Sequence, residues 1–280
     1  MVHGRGTVTT AERSRRDASV PPEMHDLHCH LLPALDDGPT TLEDSLAMAR
    51  AAAADGIRRA VVTPHADRVA QAGGPDQIQR RLQALQAELD RGGIPLTLLP
   101  GAEHKLRPDL VRDLREGTAT RLNGSRYLLV ELDFVTFPPY TEDIIFQIRL
   151  HGATPVLAHP ERQEVLQRSM GRLKSLIAQG VVVQLTAGSL EGAFGGQAKR
   201  AAQTMLREGL VHILATDAHG PHGPRPQIMS RGLSVAEKIV GARGVDMLVR
   251  ENPVAILEDR NVSPLEPPAS RSLWPAWMRR

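Results

Sequence analysis

Residues 24–38 read Met24-His25-Asp26-Leu27-His28-Cys29-His30-Leu31-Leu32-Pro33-Ala34-Leu35-Asp36-Asp37-Gly38, and the rest of the chain repeats what they contain. A short β-like run, residues 25–28, stops at a His-Cys-His turn. In an extended chain successive side chains alternate between faces, so His28 and His30 share one face while Cys29 takes the other. That is how a strand end offers two imidazoles to one metal ion. Asp36-Asp37-Gly38 follows in the loop, where one carboxylate is expected to join the pair, and Asp37 is favoured.

Strands are expected at 59–63, 96–99, 127–130, 155–158, 181–185 and 211–215, and a polar group stands at or just past most of their C-terminal ends. His65 follows Thr63-Pro64, Glu103 follows Pro100-Gly101-Ala102, Glu131 follows Val130, His159 follows Ala158, and Asp217-Ala218-His219 closes the series with the same alternate spacing. Helices are expected between these strands. One runs to residue 54 from a capping box, Thr40-Thr41-Leu42-Glu43, with Gly56 beyond its end. Others fall at 76–89, just after Pro108, at 141–150, at 161–179 with Gly180 as the stop, and at 197–208. Residues 227–257 read as helical with a break near Gly241-Gly244 and a new start at Pro253. Thr186-Ala187-Gly188-Ser189-Leu190 reads as a Gly-rich loop shaping the mouth of the site.

Strands that alternate with helices give a parallel sheet with right-handed crossovers. Seven strands, with ligands on the first, middle and last, favour closure, because in an open sheet those ligands could not meet. The expected fold class is therefore α/β, a distorted seven-stranded (β/α)7 barrel. In such barrels the active-site groups gather at the C-terminal rim. No Gly-rich nucleotide fingerprint follows the first strand, which argues against a dinucleotide-binding fold.

Any one of these polar residues alone would be unremarkable, but nine at one rim reinforce each other. Carboxylates beside apolar runs are costly unless they are paired or bind metal. Mixed imidazole and carboxylate ligands suit Mn²⁺, Fe²⁺ or Zn²⁺. His3, His25, His104, His151, His212 and His222 lie in tails, strand starts or helix ends and are not expected to be ligands. Arg162 comes three residues after His159 and Arg225 six after His219. A guanidinium fork matches phosphate oxygens bidentately, so both are candidates to hold a phosphoryl group. A cysteinyl-phosphate mechanism at Cys29 would need an arginine six positions on, and that position is Leu35.

The 280-residue chain has a net charge of only +2 and no basic stripe interleaved with aromatics, so nucleic-acid binding has no support. A single cysteine excludes an internal disulfide framework and fits a reducing cytoplasm. No apolar stretch approaches the ~20 residues that span a bilayer. Residues 1–23, polar and Arg-rich, read as a disordered extension, residues 24–262 as the domain, and residues 263–280, with Trp274 and Trp277, as a tail.

These motifs resemble the PHP (polymerase and histidinol phosphatase) superfamily, and within it the bacterial protein-tyrosine phosphatases of capsule and exopolysaccharide gene clusters. The resemblance rests on residues 26–33, Asp36-Asp37-Gly38, Thr63-Pro64-His65, Gly101-Ala102-Glu103, Val130-Glu131, residues 158–162, residues 186–190 and residues 215–219. It implies three metal ions, most often Mn²⁺, with Fe²⁺, Zn²⁺ or Co²⁺ as alternatives. His28, His30, Glu103 and Asp217 would hold one; Glu103, Glu131 and His159 a second; Asp37, His65 and His219 a third. Arg162 and Arg225 would bind phosphate, and with Asp217 they form the expected catalytic set. The implied substrate is a phosphotyrosine protein such as the tail of a bacterial tyrosine kinase. Two alternatives stand beside it: a small ester such as histidinol phosphate, and a non-catalytic partner of the polysaccharide machinery. The oligomeric state is left open.

Overall fold

Strands β1 (Met24–Cys29), β2 (Ile57–Val62) and β3 (Thr97–Pro100) pair in chain order, all parallel. A second parallel sheet runs β4 (Glu103–Lys105), β5 (Tyr127–Glu131), β6 (Thr154–Ala158), β7 (Val182–Thr186) and β8 (Ile213–Ala215). This computed structural model describes residues 23–223 and 225–267. Among these residues the strands number eight, not seven, because a further short strand, β4, follows the third expected one (96–99) after the bend at Gly101-Ala102. The bend brings the backbone close to its neighbours: a Cβ on Gly101 would lie 2.6 Å from Val61 Cγ1 and 3.1 Å from Thr63 Cγ2. Glycine is what permits that approach.

Two bridges join the sheets into a closed barrel. His65 pairs with Glu103 beyond β2, and Cys29 pairs with Ala218 beyond β8. At the second seam His30 N donates to Ala218 O and Asp217 N to His28 O, each at 2.8 Å. Both bridges involve site residues or their immediate neighbours, so the barrel closes where the ligand candidates stand.

The helices lie around this wall: α1 (Leu42–Asp55), α2 (Ala66–Gln71), α3 (Asp76–Arg91), α4 (Leu110–Arg115), α5 (Thr141–Leu150), α6 (Glu164–Arg168), α7 (Met170–Ala178), α8 (Ala187–Glu191), α9 (Gly195–Arg207), α10 (Ser230–Asp246) and α11 (Asn252–Leu257). Two apolar layers result. Leu27, Val61, Leu129, Val156, Val182 and Ile213 form an inner cluster. Cys29, Val62, Leu128, Val130, Val183 and Leu214 join the larger cluster with helix residues such as Met48, Leu85 and Ile145.

Several local expectations change. The cap of α1 is Thr41 rather than Thr40, since its side chain accepts from Asp44 N at 3.1 Å. The helix expected at 161–179 is divided into a 3-10 turn at Pro160–Arg162, then α6 and α7. Gln163 causes the first break: it is extended, and its side chain caps Leu166 N at 2.7 Å. The Gly-rich loop after β7 is instead the short helix α8, ended by Gly192 at φ +103°. The break at Gly241 is present, with φ +73°. Leu265 is buried against the core, so the chain returns to the barrel past the expected tail boundary at 263. Residues 1–22, Trp274 and Trp277 lie outside the described residues. No helix among the described residues is long and apolar enough to cross a membrane.

Candidate metal centre

All nine ligand candidates meet at the rim. His28 Nε2 lies 3.4 Å from Glu103 Oε1 and 3.3 Å from Asp217 Oδ1, while His30 Nε2 lies 3.5 Å from Glu103 Oε2 and 3.8 Å from Asp217 Oδ1. His159 Nε2 stands 3.1 Å from Glu103 Oε1. His65 Nε2 and His219 Nε2 are each 3.3 Å from Asp37 Oδ1. Grouped by mutual reach within 4.8 Å, the donors form His30-Asp37-His65-His219, His28-His30-Glu103, His28-His159-Asp217 and His65-Glu103-Glu131. These groups overlap the three sets implied by the motifs but divide them differently: His159 groups with His28 and Asp217, and Glu131 with His65.

The backbone is bent to achieve this. The register of β1 against β2 slips by one residue between Asp26 and Cys29. A slip of this kind re-aims the side chains beyond it. It leaves Leu27 in the inner cluster and Cys29 in the outer one, with His28 and His30 turned to the site. His159 at φ +33° and Asp217 at φ +51° adopt the left-handed conformation, rare for residues with a Cβ. Strain of ~1–3 kcal/mol per such residue persists only where surroundings impose it, and it concentrates at functional sites.

Three residues outside the expected ligand set hold these donors in place, among them Asp36, the less favoured of the two neighbouring carboxylates. His30 Nδ1 donates to Asp36 Oδ2 at 2.6 Å, and Asp36 also accepts from the backbone of Gly38 and His65. Of the two neighbouring carboxylates, Asp36 therefore orients a histidine while Asp37 faces the cluster. His28 Nδ1 donates to Gln184 Oε1 at 2.9 Å. A Gln inside the apolar run Val182-Val183-Gln184-Leu185 was the available signal. Asp26, fully buried, accepts from Thr216 N, Thr216 Oγ1 and Gln227 Nε2, and so ties β1 to the end of β8.

With Nδ1 committed as a donor on His28 and His30, both Nε2 atoms present lone pairs, yet they lie 3.3 Å apart and face carboxylate oxygens. Acceptors packed this closely need a cation between them. Protonation is one answer. Burial disfavours charge on His28 and His65, yet the carboxylates outweigh it: Glu103 and Asp217 raise His28 to about 9, and Asp37, Glu103 and Glu131 raise His65 to about 11. Burial, reinforced by Glu103, lifts Glu131 to about 7. Burial lowers His159 and His219, and the nearby Arg162 and Arg225 add to that. A divalent metal answers the same need, and imidazoles whose second nitrogen is fixed by a carboxylate or amide are the usual arrangement around one. The residues fit a metal centre.

Both arginines turn onto this acidic cluster. Arg162 NH1 donates to Asp217 Oδ2 at 2.5 Å, and Arg225 NH1 donates to His219 Nε2 at 2.8 Å. Phe134 and Phe194, neither foreseen, bring their ring centroids to 4.5 and 4.3 Å from the Arg162 guanidinium carbon. Glu161 is buried beneath, accepting from Thr186 N and Ser189 Oγ. Above the donors opens a cavity of about 650 Å³.

A parallel barrel with His, Asp and Glu donors and two arginines at its C-terminal rim defines a metal-dependent hydrolase. Residues 24–258 match the family described as capsular polysaccharide synthesis, CpsB/CapC, and the chain belongs to that family. It is 34% identical over 253 residues to tyrosine-protein phosphatase YwqE of Bacillus subtilis, covering 90% of this chain and 99% of that one. It is 27% identical over 244 residues to tyrosine-protein phosphatase CpsB of Streptococcus agalactiae, covering 85% and 100%. A crystal structure described among those of YwqE from B. subtilis and CpsB from Streptococcus pneumoniae, metal-dependent tyrosine phosphatases, superposes with a TM-score of 0.82 over 88% of this chain and 98% of that one, at 34% identity.

Proposed function

We propose that this chain is a metal-dependent protein-tyrosine phosphatase of capsule or exopolysaccharide synthesis. The observation that carries the reading is the convergence of nine donors and two arginines at one rim, in a chain that spans nearly the whole of its phosphatase relatives. His28, His30, Glu103 and Asp217 would hold one ion, Glu103, Glu131 and His159 a second, and Asp37, His65 and His219 a third. Mn²⁺ suits the set, because imidazoles favour transition metals over Mg²⁺. When bound, such ions polarise phosphoryl oxygens and acidify water.

The protein's own groups do the rest. Arg162 and Arg225 bind the phosphoryl oxygens and supply fixed positive charge where the transition state concentrates negative charge. Asp217 aims Arg162 as well as ligating. A tyrosine phenol, with pKa ~10, leaves without a dedicated general acid. The substrate is the phosphotyrosine-bearing tail of a bacterial tyrosine kinase, met in the cytoplasm. Supporting a protein over a small amine ester, Lys105 and Arg107 line the mouth, and Phe134, Val135 and Tyr140 stand exposed on the loop beside it.

The test is a metal analysis joined to a substrate screen. Chelation is expected to abolish turnover, Mn²⁺ to restore it better than Mg²⁺, and phosphotyrosine peptides to outpace histidinol phosphate. Full activity in chelated enzyme would remove the metal reading, and a preference for histidinol phosphate would remove the protein substrate.

A further inference from the structure

The large hydrophobic side chains left exposed among the described residues are Phe134, Val135, Tyr140, Phe146 and Leu150, all from one stretch of chain. Three of them, Phe134 at 40%, Val135 at 62% and Tyr140 at 37% exposure, belong to the loop between β5 and α5. That loop is firmly tied. Asp133 Oδ1 accepts from Val135 N, Thr136 N and Thr136 Oγ1 at 2.7–3.0 Å. Phe134 O accepts from Glu164 N at 2.8 Å, and Thr136 O accepts from Gln163 Nε2 at 3.0 Å. Its anchors are the two residues that follow Arg162 and begin α6. A fixed loop that keeps apolar side chains in water, at the mouth of a polar site, has no packing reason to do so.

Phe134 has the most specific position of the three. Its ring centroid lies 4.5 Å from the Arg162 guanidinium carbon and 5.5 Å from the His159 ring. The Phe194 ring also lies 4.3 Å from that carbon but does not line the cavity. Phe134 nevertheless remains exposed and lines the cavity, together with Leu132, Pro138 and Tyr140.

We propose that Phe134 is a specificity-determining residue that receives the aromatic ring of the phosphorylated side chain, with Pro138 and Tyr140 completing an apolar shelf. This rests on the assignment of Arg162 to the phosphate. A phenyl ring is separated from phosphorus by one ester oxygen. When Arg162 holds the phosphoryl group, the ring therefore falls beside the aromatic that flanks that arginine. Aromatic pairs with centroids ~4.5–7 Å apart gain beyond simple burial. An alkyl phosphate carries no ring and collects nothing from the shelf.

Leaving-group chemistry would blur a comparison of turnover, so the experiment compares two non-hydrolysable competitors, benzylphosphonate and ethylphosphonate, in which a methylene replaces the ester oxygen. Their inhibition constants are measured against p-nitrophenyl phosphate turnover by the metal-loaded, full-length enzyme. Wild type is expected to bind benzylphosphonate more tightly. In Phe134→Ala the ratio of the two constants should fall by roughly 2- to 12-fold, the worth of one aromatic pair. Phe134→Tyr should restore the ratio. Phe194→Leu, which alters a ring that touches Arg162 but does not line the cavity, should move both constants together or neither. Equal binding of the two phosphonates by wild type, or an unchanged ratio in Phe134→Ala, overturns the proposal. A parallel loss of both in Phe134→Ala also overturns it and leaves Phe134 as a support for Arg162. Arg162→Ala separates the underlying assignment: if both constants are unchanged there, the phosphate clamp fails, whatever the Phe134 ratio does.

Discussion

His28, His30, His65, His159 and His219 stand where strands finish, whereas His25 and His212 stand where strands begin. Both groups are largely buried, yet their neighbours are opposite in kind. At the rim the imidazoles face Asp36, Asp37, Glu103, Glu131 and Asp217, all acceptors, and only His219 also meets a donor there, Arg225 NH1. At the lower end they meet donors: Arg59 NH2 donates to His25 Nε2, and Val183 N donates to His212 Nδ1, each at 3.1 Å. Burial lowers His25 and His212 to about 4, while the rim carboxylates raise His28 to about 9. Residue type is the same at both ends. What the second atom of each contact offers decides whether a histidine is structural or awaits a cation.

The strongest way to break this contrast is to exchange one histidine from each end. His159→Ala should lose bound metal and nearly all turnover, whereas His212→Asn, whose amide oxygen can still accept from Val183 N, should keep both. Metal stoichiometry and rate are measured on the same preparations. A His159 variant with full occupancy would remove its ligand role. Next in size, Arg162→Ala and Arg225→Ala should each slow turnover ~10²–10³-fold, the usual cost of losing one donor to a developing charge, with metal content intact. Wild-type rates in either would remove that clamp.

A smaller effect sharpens the lower end. His212 is depressed from 6.5 to about 4, so the folded state stays neutral while the unfolded chain takes up a proton below pH 6.5. Its contribution is complete above pH 6.5 and is lost as pH falls toward 4, by about 3 kcal/mol in all. Denaturation followed from pH 7 to 4 should therefore show a shallower loss of stability in His212→Asn than in wild type. An identical slope would mean that His212 does not titrate as buried. The smallest effect belongs to Cys29, which lies between two ligand candidates in sequence but points into the outer apolar layer, its thiol donating weakly to Val61 O at 3.5 Å. Burial raises that thiol well above its ordinary range, so it is no ready nucleophile. Cys29→Ser should retain most activity, and loss of turnover with normal metal content would reinstate a thiol mechanism.

The convergence of the nine candidates was legible because most stand at or just past the end of an apolar run, and the parallel alternation of elements then forces those ends together. Their supports were less visible. Asp36 and Asp37 are adjacent and identical in type, and only the turn at Gly38 decides which faces His30 and which the cavity. The bend at Gly101 could not be read from its residues, because the close approach of Val61 exists only once β2 and β3 pair. Phe134 and Phe194 are far apart in sequence and have no shared period; Arg162 unites them in space.

The seam between β1 and the end of β8 joins groups 190 residues apart, Asp26 and Thr216. Bringing so distant a pair together costs about 5 kcal/mol of chain entropy, before any constant term. On one side of this seam stand His28 and His30, on the other Asp217 and His219. A cation shared across it would act as a clasp on the folding chain as well as a reagent, since metal affinity for a site absent from the unfolded state is folding free energy. During synthesis the first pair emerges long before the second. The nascent chain therefore cannot assemble the candidate centre until β8 docks, which would hold back dephosphorylation until the barrel has closed.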